Sequence, residues 1–199
     1  TIPIQKANID LLSISGHKFY GPKGVGLLYK NKDVRIKPLV LGGGQQKGYR
    51  SGTQNVPAIV GMHMAAREII PRLDYYNEQL YQYKKQLAEG ILSSIDKTYI
   101  NGPNINEGAS HILNIGFSGI KAEVLLHALE AENIYVSSGS ACSTNKSSNS
   151  AILEAIGNTG MQLDEAIRFS LGIHNTQEEI QETIEKLQKI IPMLRRFSR

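Results

Sequence analysis

Leu73, Tyr76, Leu80, Tyr83, Leu87, Ile91 and Ile95 recur at spacings of three and four. That period puts them on one face of a long amphipathic helix. Such a face must be buried against another layer. The flanking sequence supplies candidates for that layer. Residues 10–15 read as a short buried strand running into Gly16, and residues 25–29 as a second strand after a glycine turn. Residues 42–52 form a glycine-rich loop. Asn55 and Pro57 mark a helix start, and that helix runs toward Ile70 until Pro71 interrupts it.

Beyond the long helix the alternation continues. Strands are expected at 111–117, 134–136 and 166–171, and helices at 122–132 and 152–156. Residues 137–150 read as a polar loop. Thr176 and Glu179 form a capping box for a last helix, with Ile180, Ile184, Leu187 and Ile191 as its apolar stripe. Strands alternating with helices indicate an α/β architecture. Pro71 is the best domain boundary, dividing 1–71 from 72–199.

Net charge is +4, but residues 1–50 carry nine Lys or Arg against two Asp. The basic excess therefore belongs to the first quarter, where it is interleaved with glycine rather than aromatics. That pattern lacks the interleaved aromatics of nucleic-acid binding and favours a small anionic ligand over a merely solvated basic face. No run approaches the roughly 18 apolar residues of a membrane span. The first residue is Thr1 and no signal-peptide pattern follows, so a mature or cut start is expected. The single cysteine, Cys142, cannot form an internal disulfide. This fits a reducing setting, and a cytoplasmic location is expected.

Several segments can carry chemistry. Ser13-Ile14-Ser15-Gly16-His17-Lys18 puts a lysine just past a strand end, beside a hydroxyl and an imidazole. A partly desolvated lysine there can form a Schiff base with an aldehyde. The alternative is a lysine on an exposed turn. Gly21 to Gly26 superficially matches a dinucleotide fingerprint, yet a strand follows the turn where that motif needs a helix. Arg50-Ser51-Gly52-Thr53 can be an anion site or a capped helix start. Cys142 sits in a 14-residue loop holding seven serines. That setting suits a reactive thiol better than a buried one. Arg168 lies on a strand with Ile167, Phe169 and Leu171 on the opposite face and small Ala166 and Ser170 on its own. It can bind a carboxylate or pair with Asp164 or Glu165. The histidines lack metal-ligand spacing, so no metal is expected.

Taken in order, these segments resemble the cysteine desulfurases, pyridoxal-phosphate enzymes of the class V aminotransferase group. The matching pieces are Ser15-Gly16-His17-Lys18, Gly21-Pro22-Lys23-Gly24, Gly42-Gly43-Gly44-Gln45, Arg50-Ser51-Gly52-Thr53, Ser137-Ser138-Gly139-Ser140-Ala141-Cys142 and Arg168-Phe169-Ser170-Leu171-Gly172. The long cysteine loop is similar to that of the subgroup serving iron–sulfur clusters and tRNA thiolation. Gln46 stands where the family often has Glu, and Asn175 where it often has Thr.

The resemblance implies a fold-type I transferase. Residues 1–71 would close the large cofactor domain and 72–199 would form the small α/β domain. It implies that Lys18 binds pyridoxal 5'-phosphate, that Ser15 and His17 hold its phosphate, and that Thr53 reaches the phosphate in the partner subunit of a homodimer. Arg168 would hold the carboxylate of L-cysteine. Cys142 would take its sulfur as a persulfide, releasing L-alanine, and would pass the sulfur to an acceptor protein, an iron–sulfur scaffold or a tRNA-thiolation protein. The family's ring-stacking aromatic, its aspartate for the pyridine nitrogen and a substrate-binding asparagine lie in an N-terminal half, which is a further expected partner. A selenocysteine lyase-like relative and a non-catalytic interaction fragment are the alternatives.

Overall fold

The computed structural model describes residues 2–138 and 150–197. The chain divides into two compact units, Thr1–Leu73 and Asp74–Arg199.

In the first unit, β1 (Leu11–Ser15) pairs antiparallel with β2 (Gly26–Lys30), with Leu11 opposite Lys30 and Ser15 opposite Gly26. Between them lies a 3-10 turn, Gly16–Phe19, which ends on Tyr20 in the left-handed region at φ 66°. Gly16 N donates to Val25 O at 2.9 Å and Gly21 N to Gly16 O at 3.0 Å, which closes the turn at both ends. Gln45–Gly48 forms a tight turn in which Gln46 and Lys47 take the left-handed region at φ 51° and 57°. Helix α1 (Val56–Ile69) starts where expected. The Asn55 side chain accepts from Ala58 N at 3.2 Å, and Pro57 sits in the first turn, where its missing N–H is harmless. Pro71 interrupts the helix only mildly: a single 3-10 turn, Ile70–Arg72, leads straight into α2 at Leu73.

Residues 11–15 do form a strand, but the expectation that it is buried is wrong. Among the described residues of this unit only Gly16, Ser51 and Ala58 are buried. Leu11, Leu27 and Leu28 of the hairpin are exposed, as are Val56, Ile59, Val60 and Met64 of α1. The apolar residues are present and the layer that should cover them is not supplied by the described residues.

The second unit has its own core. It runs α2 (Leu73–Ser94), β3 (Thr98–Ile100), β4 (Ile112–Phe117), α3 (Ala122–Glu130), α4 (Ala151–Ala155), β5 (Ala166–Ser170) and α5 (Gln177–Phe197). The strands form one antiparallel sheet in the order β3-β4-β5. Leu113, Ile115 and Phe117 of β4 and Ile167 and Phe169 of β5 are buried with Leu87 and Ile91 of α2 and Leu125 and Leu129 of α3. The α5 stripe, Ile180, Ile184, Leu187 and Ile191, joins the same cluster. Helices α2 and α5 cross closely, because a Cβ on Gly90 would lie 2.5 Å from Ile184 Cδ1. Leu153, Leu163 and Ala166 form a separate small cluster.

Two expectations need correction. Residues 134–136 are not a strand. Asn133 takes φ 62° and Ile134 N still donates to Leu129 O, so this stretch finishes α3, and only Ser137 then bridges to β5. β3 was not anticipated, since three residues are too short to display alternation.

The capping box of α5 is formed. Glu179 N donates to Thr176 Oγ1 at 3.3 Å, and Thr176 N to Glu179 Oε2 at 3.1 Å. Asn175 Nδ2 adds a 2.8 Å bond to the same carboxylate oxygen. The Asn175 amide first, then the Thr176 backbone, hold the Glu179 carboxyl below its usual value of 4.5. A carboxylate lowered in the folded state contributes stability that is present above the unfolded value and is lost as pH falls through the folded one. Thermal melts of wild type and Glu179→Gln should therefore differ at neutral pH, with wild type higher. The gap should close as pH falls from 4.5 through the lowered pKa. A gap independent of pH would show that charge at Glu179 is irrelevant to the cap.

Candidate active site

The end of β1 and the turn after it bring Ser15, His17 and Lys18 onto one short stretch of backbone. All three are exposed. Among the described residues none hydrogen-bonds or ion-pairs with their side chains. The turn is seated on α1. Ideal Cβ atoms on Gly16 and Gly21 would lie 3.3 Å from Met62, and one on Gly61 would lie 2.6 Å from Pro22 Cγ. The lysine thus stands on a turn whose backbone is fixed from behind while its amine is free. An amine, an imidazole and a hydroxyl are the donor set that an aldehyde bearing a phosphate would require. The residues present fit that group.

Thr53 is exposed in the loop leading to the Asn55 cap. The loop is ordered by its neighbours. Buried Ser51 donates from Oγ to Gly43 O at 2.7 Å, Gly52 N donates to Gln45 Oε1 at 3.2 Å, and the Arg50 guanidinium turns back onto Ser51 O. Arg50 is therefore engaged within the loop.

Arg168 lies in the second unit, at the middle of β5. Ile167 and Phe169 enter the core on either side of it, so alternation places Arg168 on the opposite face of the sheet. The proposed pairing with Asp164 or Glu165 is not formed. Glu165 accepts from Gly119 N at 2.8 Å instead, and among the described residues the guanidinium donates to Ser137 Oγ, at 3.3 Å from Nη2. Among the described residues the buried Arg168 Nε has no hydrogen-bond partner. In the sequence Ser137 opens a polar loop and the segment running to Cys142 that resembles the family's. A long-range bridge to β5 has no local signature. Cys142 lies outside the described residues.

No group of three or more His, Cys, Asp or Glu among the described residues could hold a metal ion. No helix among them is long and apolar enough to cross a membrane.

With this geometry in place, comparison with known proteins is informative. The family model for aminotransferase class-V matches residues 1–183. The chain belongs to that family. It is 41% identical over 197 residues to the cysteine desulfurase IscS of Methanosarcina thermophila, which covers 99% of this chain and 48% of the relative. The IscS of Dictyoglomus turgidum is 39% identical over 198 residues, covering 99% and 50%. The chain thus spans about half the length of the curated relatives it matches. Among solved structures, a NifS-like protein superposes with a TM-score of 0.85 at 34% identity, covering 96% of this chain and 48% of that one. A NifS-like protein from Rickettsia africae gives 0.84 at 28% identity, covering 96% and 50%. The fold is a mixed α/β fragment matching part of the NifS-like fold-type I structures. The chain is a homologue of pyridoxal-phosphate-dependent cysteine desulfurases.

The close approach of α1 to the lysine turn has a direct test. Alanine in a helix is better than glycine by roughly 1 kcal/mol, so Gly61→Ala should stabilise α1 if the site were open. The 2.6 Å approach to the rigid Pro22 ring opposes it. Gly61→Ala is expected to push the turn away from α1 and reduce the hydrogen-exchange protection of Gly21 N–H. Equal or greater protection would refute the packing.

Proposed function

We propose that this chain is the C-terminal half of a pyridoxal-phosphate-dependent cysteine desulfurase. The observation that carries the reading is the free Lys18 amine beside Ser15 and His17 on a fixed turn, in a chain alike to IscS proteins over nearly its whole length. Residues 1–71 are then the end of the large cofactor domain, and 72–199 the small domain. The exposed apolar residues of the β1–β2 hairpin, Leu11 and Leu28 on one face and Leu27 on the other, are surface that an N-terminal half would cover. Thr53 serves the second subunit of a homodimer.

The roles follow from the side chains. Lys18 Nζ holds the cofactor, and Ser15 and His17 its phosphate. When bound, pyridoxal 5'-phosphate supplies an electron sink for charge at the substrate Cα. Arg168 fixes the carboxylate of L-cysteine, as a planar guanidinium suits. Lys18 Nζ moves the proton at Cα. The Cys142 thiolate attacks the substrate sulfur, so a Cβ–S bond breaks and an S–S bond forms. Thiol and cysteine become persulfide and L-alanine, with atoms and electrons balanced. An acceptor protein of iron–sulfur cluster assembly or tRNA thiolation then takes the outer sulfur.

The test is chemical. With an N-terminal half from an IscS relative added, pyridoxal phosphate followed by borohydride is expected to leave a pyridoxyl label on Lys18. L-cysteine is expected to release sulfide under reducing conditions. Cys142→Ala should abolish that release and leave the label intact. Absence of label with and without the N-terminal half would overturn the enzyme reading. Undiminished release by Cys142→Ala would remove the role given to the thiol.

A further inference from the structure

One row of side chains crosses the sheet of the second unit. Arg168 N donates to Ser137 O at 2.7 Å and Ser137 N to Arg168 O at 3.1 Å. Both backbone groups of Arg168 are therefore committed to that edge. Its other cross-strand partner is Asn114 on β4. That pair must be of the non-hydrogen-bonded kind, in which facing side chains are closest. Asn114 in turn is hydrogen-bonded to Asn101, whose N donates to Asn114 O at 3.0 Å. Directly opposed residues share a face, so Asn101, Asn114, Arg168 and Ser137 stand in line.

Their side chains are linked in one direction. Asn158 Nδ2 donates to Asn101 Oδ1 at 2.5 Å, and Asn101 Nδ2 to Asn114 Oδ1 at 2.8 Å. Asn101 is only 8% exposed, so its amide is fixed by these bonds. Each amide spends its oxygen on the residue behind it. The Asn114 amide nitrogen then has no acceptor among the described residues. On the far side the Ser137 hydroxyl accepts from Arg168 Nη2, while the buried Arg168 Nε has no partner among the described residues. Two unused donors, one of them cationic and desolvated, stand side by side on one face.

We propose that Asn101 and Ser137 are positioning residues: they hold Asn114 and Arg168 from opposite sides as a two-pronged receptor for the carboxylate of the amino-acid substrate. This rests on the desulfurase reading for the identity of that carboxylate. The arrangement of donors does not depend on that reading.

Two readouts separate the proposal from that reading. In the 199-residue chain labelled with 15N-arginine, Arg168 Nε–H is expected to exchange slowly with solvent. Ser137→Ala should speed that exchange about tenfold, the loss of one hydrogen bond to a charged group; Asn101→Ala, which frees Asn114 instead, should leave it within about twofold, and β4 and β5 backbone amides should stay protected in both. In the chain completed by an N-terminal half, the same variants should raise KM for L-cysteine about tenfold with kcat within about twofold, the pattern of lost uniform binding. Ser137→Thr, which keeps the hydroxyl, should restore both. Unchanged Nε–H exchange in Ser137→Ala would overturn the proposal whatever the activity. Unchanged KM in an active enzyme would overturn it too. If the completed wild type released no sulfide, the desulfurase reading would fall, and the exchange experiment would still decide the row.

Discussion

The period-two alternation along β5 is the constraint on which the second unit depends. Ile167 and Phe169 are buried among residues of α2, α3, β4 and α5. A slip of one residue would turn both out of the core and bring Arg168 in. A desolvated, unpaired guanidinium in that cluster would be strongly destabilising. Hydrophobic burial thus decides where the cation goes, and it sends Arg168 to the face where Asn114 and Ser137 stand.

The two units differ in how far they meet their own requirements. The second buries a continuous cluster from five elements. The first presents a two-stranded hairpin, an arrangement that is marginal in water without a further layer. Its apolar residues are not misplaced. Leu28 is 53% exposed although it sits in a well-paired strand. The local code for a strand is satisfied, while the cover it calls for is not supplied by the described residues.

This accounts for what could be read in the sequence. Periodic signals carried through: the α2 stripe, the Asn55 and Thr176 caps and the alternation of β5 are each contained within a few neighbouring residues. Burial of β1 could not be read that way, because periodicity states which face wants cover and says nothing of who supplies it. The short β3 has too few residues to show a period. The partners of Arg168 were out of reach for a different reason. Ser137 is 31 residues away in sequence, and Asn158 is 57 from Asn101. Such pairs are made by register, which only the folded sheet defines. Family resemblance pointed to Lys18, Arg168 and Cys142 and was silent on the residues that orient them.

The two candidate binding elements hold their donors in opposite states, and solvent explains the difference. Ser15, His17 and Lys18 are exposed, so water satisfies them and leaving them unpartnered is nearly free. Among the described residues nothing fixes their side chains beyond the backbone of the turn. Arg168 Nε is shielded from water and lacks a partner among the described residues. That is a standing penalty, which the proposed substrate carboxylate would relieve. The guanidinium also has one side already tied to Ser137. An ion arriving there meets a donor that is desolvated and oriented before binding, which lowers the cost of ordering it. The lysine turn acquires those properties only when another layer excludes water from it. In the proposed enzyme the carboxylate receptor is therefore intrinsic to the small unit, whereas the cofactor site is completed by assembly.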